Sequence, residues 1–195
     1  MPKIPSKARP KVKNQGRRIQ VRRSGVHGKG VFALTDIIRG ERIIEYTGEV
    51  ITWKEALRRH PHDPAQPNHT FYFHLDDGHV IDALYGGNAS RWINHSCDPN
   101  CEADEQDGRI YITALCDIHP GEELNYDYGL VIDAPLTARL KAEYPCWCGS
   151  PDCRGTLLSS EQDIKPGHQP ARKKKSTRAK TAAPKTRKTA RGAGN

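Results

Sequence analysis

The chain has 195 residues, with 31 Lys and Arg against 23 Asp and Glu, which gives a formal net charge of +8. This length favours one domain with tails, and the longest apolar runs are too short for a bilayer span. The N-terminus is basic but lacks an apolar h-region, so we expect neither a secretory signal nor disulfides. The six cysteines are then thiols or metal ligands.

Charge is distributed unevenly along the chain. Residues 1–23 hold nine Lys and Arg, residues 164–195 hold eleven, and neither stretch contains an acid. The intervening residues 24–163 keep 11 basic residues and all 23 acidic ones, a net charge of −12. Basic arms of this kind either aid solubility or bind a nucleic-acid backbone, whereas the acidic body would attract a cationic protein segment.

The predicted elements are mostly short strands. RRIQVRRS, VFAL and RIIEYTGEVIT come first. HTFYFHL and HVIDAL then flank an Asp-Gly hairpin signal, and GRIYITAL follows a polar DEQDG turn. TWKEALRRH predicts a short helix with Thr52 as N-cap and Glu55 as capping-box partner, and TARLKAEY predicts a second one. HPHDPAQPNH, residues 60–69, is expected to be an exposed loop, although its histidines could bind a metal. The fold class is therefore mainly β with a minor α component.

The cysteine spacing points to a metal centre. CWCGSPDCRG places Cys146, Cys148 and Cys153 within eight residues around a Gly-Ser-Pro turn, which suits tetrahedral zinc with sulfur ligands. The fourth ligand stays open between Cys97, Cys101, Cys116 and the histidines, and a reduced, unligated cluster is the alternative.

Two further motifs are ambiguous when taken singly. SGVHGKGVFAL is rich in glycine but has neither the GxGxxG spacing nor the Walker Lys-Ser/Thr pair, so it is not a convincing phosphate-binding loop. GEELNYDYG places Tyr126 and Tyr128 on one face of an extended segment, where tyrosines more often belong to a core than to a catalytic site.

Taken together and in order, five segments resemble the SET-domain protein lysine methyltransferases: GVHGKGVFA, EYTGEVIT, VIDA followed by GGNASRWINHSCDPNC, GEELNYDYG, and the post-SET cluster CWCGSPDCRG. The resemblance covers about residues 17–158. It implies a β-clip fold of short sheets in which the NHSC segment passes beside ELNYDY as a pseudoknot. The implied organisation is a basic arm at 1–16, a SET domain at 17–140, a post-SET zinc-binding segment at 141–158 and a disordered basic tail at 159–195.

The same resemblance implies S-adenosylmethionine as cofactor and transfer of its methyl group to a lysine amine. It assigns cofactor contacts to His27, Gly28, Lys29, Gly30, Phe71, Asn94, His95 and Trp147, with the Trp147 indole stacked against the adenine. It makes Cys97 the fourth zinc ligand beside Cys146, Cys148 and Cys153. Cys101 is then spare and Cys116 is a core thiol.

Three tyrosines receive catalytic roles from the resemblance. Tyr128 is the catalytic tyrosine, Tyr46 lines the lysine channel, and Tyr126 occupies the family's Phe/Tyr switch, where Tyr favours a monomethyl product. One departure affects this picture, because Phe71 stands where the family usually has Tyr. Either a hydroxyl is missing there or Tyr72 supplies it by a register shift.

The implied substrate is a histone or histone-like basic tail that adds to the domain as an extended strand. The C-terminal arm itself, residues 173–188, either binds DNA or is a substrate for self-methylation. Alternatives to the enzyme are an inactive SET-like module that binds basic peptides and a zinc-stapled nucleic-acid-binding protein. The expected location is intracellular, in the nucleus on chromatin or in a bacterial cytoplasm, with secretion as an effector also compatible. The sequence does not indicate an oligomeric state.

Overall fold

A computed structural model describes residues 17–61, 70–132 and 134–159. The two basic arms and most of the His- and Pro-rich loop predicted at 60–69 lie outside these residues. The described part contains ten strands, two helices and one 3-10 turn: β1 Ile19–Arg23, β2 Lys29–Ala33, β3 Arg42–Tyr46, β4 Glu49–Thr52, α1 Trp53–Arg59, β5 Tyr72–His74, β6 His79–Asp82, a 3-10 turn Ala89–Trp92, β7 Asn94–His95, β8 Cys101–Gln106, β9 Arg109–Ala114, β10 Glu123–Tyr126 and α2 Ala138–Glu143. Neither helix in these ranges has the length and apolar character that a bilayer crossing requires.

Seven strands form the larger sheet. Its order is β1-β2-β10-β8-β9-β3, and β7 also pairs with β10. Side chains alternate strictly along β9: Ile110 and Ile112 are fully buried, whereas Tyr111 and Thr113 are partly exposed. This alternation defines the buried face of the sheet. The fold is thus mainly β, as the sequence predicts.

The smaller sheet has the order β4-β6-β5 and carries α1. The stretch RIIEYTGEVIT, predicted as one strand, is divided at Thr47-Gly48 into β3 of the larger sheet and β4 of the smaller one. Helix α1 begins as predicted, because the Thr52 side chain accepts a hydrogen bond from the Glu55 N–H. Helix α2 begins in the same way at Thr137.

One predicted turn is wrong. The acidic stretch before GRIYITAL is not a turn but the end of β8, where Asp104, Glu105 and Gln106 pair with β9. Only Asp107 and Gly108 form the connection. Asp104 and Gln106 lie on the solvent side of β8, opposite the buried Cys101 and Ala103. Glu105 lies at the partly exposed end of the buried side, where its carboxylate accepts a hydrogen bond from the Asp76 N–H.

The short strand β7 positions the candidate site. It runs parallel to β10, with Asn94 opposite Asn125 and His95 opposite Tyr126. Two further hydrogen bonds join the Asn100 and Asn125 backbone N–H groups to each other's side-chain oxygens. The NHSC segment therefore lies against the ELNYDY segment, which is the adjacency that the expected pseudoknot requires.

Candidate active site and metal centre

A row of four aromatic rings crosses the boundary between the two sheets. Phe73 lies 5.4 Å from Tyr46 and 6.3 Å from Tyr126 between ring centroids, and Tyr126 lies 5.0 Å from Tyr128. Tyr46 and Tyr126 are buried, whereas Tyr128 is 37% exposed. The row therefore leads from the core to the surface and opens at Tyr128.

Tyr128 is held from both ends. Its hydroxyl donates to the Ile93 carbonyl at 2.9 Å, and its backbone N–H donates to Nδ1 of His95 at 3.1 Å. Because desolvation disfavours the phenolate, the pKa values of Tyr128, Tyr126 and Tyr46 are all raised, and the three phenols are neutral at physiological pH. The donated proton leaves the Tyr128 oxygen free to accept a hydrogen bond.

The hydroxyls of the other two tyrosines differ in their partners. Tyr46 donates to the Phe71 carbonyl at 3.0 Å, which fixes its ring against β5. No hydrogen bond joins the Tyr126 hydroxyl to another of residues 17–61, 70–132 and 134–159, and Tyr126 is only 7% exposed. A polar group in this position is suited to holding a water molecule within the row, between Phe73 and Tyr128.

The substitution of Phe for Tyr at position 71 is not compensated by Tyr72. Phe71 packs edge-on against Trp92 at 5.0 Å, on the side of the main core. Tyr72 points to the other face of β5, where its hydroxyl donates to the Ala56 carbonyl at 3.1 Å. The alternation of side chains along a strand separates the two residues, so the register-shift alternative is wrong.

The glycine-rich loop is fastened to β10 through Asn94. The Asn94 amide nitrogen lies 3.0 Å from the Lys29 carbonyl oxygen, 3.4 Å from the His27 carbonyl oxygen and 2.7 Å from a Glu123 carboxylate oxygen. A Cβ added at Gly30 would lie 2.1 Å from the same Glu123 oxygen. A side chain at Gly30 would therefore displace the Glu123 carboxylate from its hydrogen bonds with Asn94 and Ser24.

His95 is buried and uses both ring nitrogens within the protein. Since Nδ1 accepts from the Tyr128 N–H, the proton of the neutral ring sits on Nε2, which lies 3.4 Å from Sγ of Cys97. Burial lowers the pKa of His95 to about 4, despite the nearby Asp127 carboxylate. His95 therefore links the Tyr128 segment to the cysteine cluster as a neutral ring.

The remaining predicted cofactor residues lie around this centre. Lys29 places its Nζ 4.4 Å from the Trp92 ring centroid, which holds the loop over the 3-10 turn. Trp147, between two of the clustered cysteines, is 69% exposed. Its ring is open to solvent and accessible to a planar ligand.

The four predicted cysteines converge. The Sγ atoms of Cys97, Cys146, Cys148 and Cys153 all lie within 4.8 Å of one another, and those of Cys97 and Cys146 are 3.8 Å apart. Zinc–sulfur bonds of about 2.3 Å in a tetrahedron place sulfurs about 3.8 Å apart, so the donor set and its spacing fit Zn²⁺. Burial raises the pKa of Cys97 and of Cys146, and a divalent cation would favour the thiolates instead.

The two other cysteines exchange their expected roles. Cys101 is fully buried beside Tyr126, where its strand pairs with β10, and it is the core thiol. Cys116 is exposed, so its assignment to the core is wrong. It follows β9 in the turn after Ala114, where the alternation of the strand no longer directs side chains inward.

A charged pair joins the cysteine-rich segment to the end of β10. The Arg154 guanidinium donates two hydrogen bonds to the Asp127 carboxylate, at 2.6 and 2.9 Å. Burial alone would raise the pKa of Asp127, but the hydrogen bonds from Arg154 and from the Gly129 N–H outweigh it and lower the pKa. The Arg154 backbone N–H also lies 3.4 Å from Sγ of Cys97. We call the Asp127–Arg154 pair the latch.

The sequence analysis did not identify the latch, the Glu123 carboxylate or Phe73 as parts of the site. The signal for the latch was present as Arg154 in CWCGSPDCRG and Asp127 in ELNYDYG, since both lie inside the recognised motifs. Glu123 likewise lies inside GEELNYDYG, whereas Phe73 lies outside the recognised motifs and its proximity to the site follows only from strand pairing.

Comparisons with known proteins agree with this geometry. The SET domain family model matches residues 28–129. The chain is 39% identical over 151 residues to the histone-lysine N-methyltransferase set1 of Dictyostelium discoideum, which is 75% of this chain and 10% of that protein. It is 38% identical over 143 residues to the histone-lysine N-methyltransferase ash1 of Drosophila melanogaster, which is 71% of this chain and 6% of that protein.

A solved structure described as ctPRC2 in an autoinhibited conformation bound to S-adenosylmethionine is also similar, with a TM-score of 0.52 and 38% identity over 57% of this chain and 15% of that chain. The chain thus spans a tenth or less of these two curated relatives. The family model, however, matches more than half of the chain and contains the aromatic row, Asn94 with its partners Lys29 and Glu123, and Cys97. The chain belongs to the SET-domain family.

Proposed function

We propose that the protein is an S-adenosylmethionine-dependent protein-lysine N-methyltransferase. The observation that carries this proposal is the pairing of β7 with β10, which brings the glycine-rich loop, Tyr128 and the cysteine cluster together around Asn94 and His95. Two similarities support it. The curated relatives are named histone-lysine N-methyltransferases, and the similar solved structure is described as bound to S-adenosylmethionine.

The residues proposed to hold the cofactor surround the Asn94 contacts. The loop backbone at His27, Gly28, Lys29 and Gly30, with Asn94 and His95, would form its floor, and Phe71 and Trp147 would supply apolar surface. The Asn94 amide nitrogen already donates to the Lys29 carbonyl and to Glu123, so the side-chain oxygen of Asn94 is the atom available to a bound amino group. His95 uses both ring nitrogens internally, which leaves its backbone for the cofactor.

The chemistry requires a neutral amine in line with the donor. When bound, S-adenosylmethionine supplies a methyl group on a positively charged sulfur; the S–C bond breaks, an N–C bond forms and the amine loses one proton to water. A free lysine has a pKa of about 10.4, so at pH 7 fewer than roughly one in a thousand is neutral. The apolar surface of the aromatic row disfavours the ammonium and lowers this pKa. Alignment of the reacting atoms supplies most of the remaining acceleration.

Tyr128 is the residue proposed to act at the reacting atoms. Its hydroxyl hydrogen is committed to the Ile93 carbonyl, so its oxygen faces the opening of the row as an acceptor. An acceptor there can orient the methyl group and the amine N–H groups. Tyr46 contributes apolar wall, since its hydroxyl is bonded to the Phe71 carbonyl.

Tyr126 is proposed to limit the product to monomethyl-lysine. Its hydroxyl lacks a protein partner among the described residues and can hold a water molecule beside the amine nitrogen. That water occupies the space that a methylated nitrogen would need in order to turn for a second transfer. The absence of a hydroxyl at Phe71 enlarges the site on another side and opposes this restriction.

Zinc bound by Cys97, Cys146, Cys148 and Cys153 would have a structural role. Cys97 follows β7 and the other three belong to the C-terminal segment, so the metal would tie that segment to the floor of the site. A closed four-sulfur site leaves no open position for catalysis.

The proposed substrate is a basic protein tail of the histone or histone-like kind. The net charge of −12 on residues 24–163 would attract such a tail. The relatives' names favour chromatin as the setting, and the basic arms would add contacts to nucleic acid there. A bacterial cytoplasm with a histone-like protein, or a host nucleus reached by secretion, would offer the same class of substrate.

A methyl-transfer assay tests the proposal. Zinc-loaded full-length protein is incubated with labelled S-adenosylmethionine and either core histones or a bacterial histone-like protein, with Tyr128→Phe as the matched variant. The proposal predicts label on lysine that falls at least about a hundredfold in the variant, the lower end for a lost transition-state contact. Cofactor binding without transfer to any lysine would instead indicate a module that binds basic peptides.

A further inference from the structure

We propose that the acceptor nearest to this site is the chain's own C-terminal arm, whose lysines are methylated in cis. The inference rests on the proposed function and names a substrate for it. The arm carries seven lysines beyond the described residues: Lys165, Lys173, Lys174, Lys175, Lys180, Lys185 and Lys188.

The arm leaves the domain beside the candidate catalytic tyrosine. Leu158 forms a bridge with Leu130, and the Ser159 N–H donates to the Leu130 carbonyl at 2.9 Å. The Ser159 hydroxyl also accepts a hydrogen bond from Arg154, and Ser159 is buried. Since Leu130 follows Tyr128 by two residues, the Cα atoms of Ser159 and Tyr128 lie within about 13 Å of each other. The starting point of the arm is therefore fixed near the open end of the aromatic row.

The arm is long enough to reach the row. Its first lysine is six residues beyond Ser159, and a chain spans at most about 3.3–3.6 Å per residue, or roughly 20 Å over six. Lys173 is fourteen residues beyond Ser159, which allows roughly 46–50 Å. A chain that loops out from Ser159 can thus present several of its lysines at Tyr128.

The N-terminal arm is in a different position. The Arg18 carbonyl accepts from the Leu34 N–H, and Ala33 is hydrogen-bonded to Gly121 and Glu122 before the start of β10. Tyr128 follows the other end of β10, roughly 20 Å away at the rise of a strand. Lys13 and Lys11, four and six residues before Arg17, span at most about 14 and 22 Å, so only Lys3 and Lys7 of this arm have chain to spare for that distance. The two arms have similar charge, so the closer starting point and the larger number of lysines within reach predict a preference for the C-terminal arm.

Charge and covalent attachment both favour this acceptor. The arm is free of acids from residue 164 onward, and it faces a body with a net charge of −12. Attachment gives an acceptor an effective concentration on the order of millimolar when the connection spans the distance. A separate basic protein at micromolar concentration competes poorly with such an acceptor.

The step balances as an ordinary methyl transfer. The lysine ammonium of the arm first loses one proton to water, and the neutral amine then forms one N–C bond as one S–C bond of the cofactor breaks. The product is a methylammonium and a neutral thioether, and no oxidant or reductant is needed. Methylated lysine keeps its charge, so the arm's attraction to anionic surfaces is retained.

The test incubates zinc-loaded full-length protein with labelled S-adenosylmethionine and maps the methyl groups by mass spectrometry. We expect methylated lysine in residues 165–188 and little in residues 1–13. The methylated fraction per unit time should stay constant over a hundredfold dilution, because a reaction in cis is independent of concentration. A mixture of wild-type and Tyr128→Phe chains should carry label only on the wild-type chains.

The matched control replaces the seven arm lysines with arginine, which preserves charge and removes the acceptors. This variant should lose the self-directed label while methylating core histones at least as fast as the wild type. Histone methylation without label on the arm would overturn the inference and leave the proposed function standing. A labelled fraction that falls in proportion to dilution, or equal label on both arms, would also overturn it. Absence of label on every protein, together with absence of cofactor binding, would remove the proposed function as well.

Discussion

The latch between Asp127 and Arg154 offers a sharp test of how the cysteine-rich segment is coupled to the site. Replacing Asp127 with Asn and Arg154 with Met, singly and together, removes one or both charges at similar side-chain volume. Two charge-assisted hydrogen bonds join a pair whose side chains are only 29% and 22% exposed. Hydrogen bonds to charged groups contribute about 1.5–3 kcal/mol each when buried, and partial exposure reduces this, so we expect a coupling energy of about 2 kcal/mol.

The assay is a double-mutant cycle on the free energy of unfolding of the zinc-loaded protein, measured by denaturant titration. The single variants should each lose about 2–3 kcal/mol, and the double variant should lose much less than their sum. The rate of methyl transfer should fall in the same order as the stability, because the latch fixes Asp127, which immediately precedes Tyr128. A coupling energy below about 0.5 kcal/mol, the value of an exposed ion pair, would refute the argument.

Three other outcomes follow from the same structure. Tyr126→Phe should shift the product towards di- and trimethyl-lysine in mass spectra, and an unchanged product ratio would contradict the proposed water site. Arg59→Met should lower the free energy of unfolding far more than Arg58→Met, because Arg59 pairs with the fully buried Asp82 carboxylate whereas Arg58 belongs to an exposed pair; equal losses would contradict the assignment. Removal of zinc by a chelator should lower both the thermal midpoint and the affinity for S-adenosylmethionine, and an unchanged midpoint with one zinc lost per chain would contradict a structural metal.

Local signals predicted most of the elements. The alternation in GRIYITAL, the Asp-Gly hairpin between β5 and β6 and the Thr52 cap of α1 are each set by neighbours in sequence, and each is present. The end of β8 was missed because three consecutive polar residues resemble a turn when considered alone. Its strand conformation depends on pairing with β9, which is a tertiary effect.

The candidate site depends more heavily on long-range pairing. Spacing alone identified three clustered cysteines but could not choose the fourth among Cys97, Cys101 and Cys116, since that choice requires knowing that β7 lies beside β10. The resemblance supplied this information through the order of the motifs. Asp127, Arg154 and Glu123 lie inside the recognised motifs, but their pairing with each other or with Asn94 could not be predicted, because the partners are far apart in sequence.

Binding of S-adenosylmethionine to the zinc-loaded full-length protein, measured by calorimetry, tests the central claim most directly. The account predicts saturable binding to one site per chain that weakens strongly in Asn94→Asp, since a carboxylate there would face two carbonyl oxygens and Glu123. A folded, zinc-loaded protein that does not bind S-adenosylmethionine would contradict the claim that these elements form a methyltransferase site.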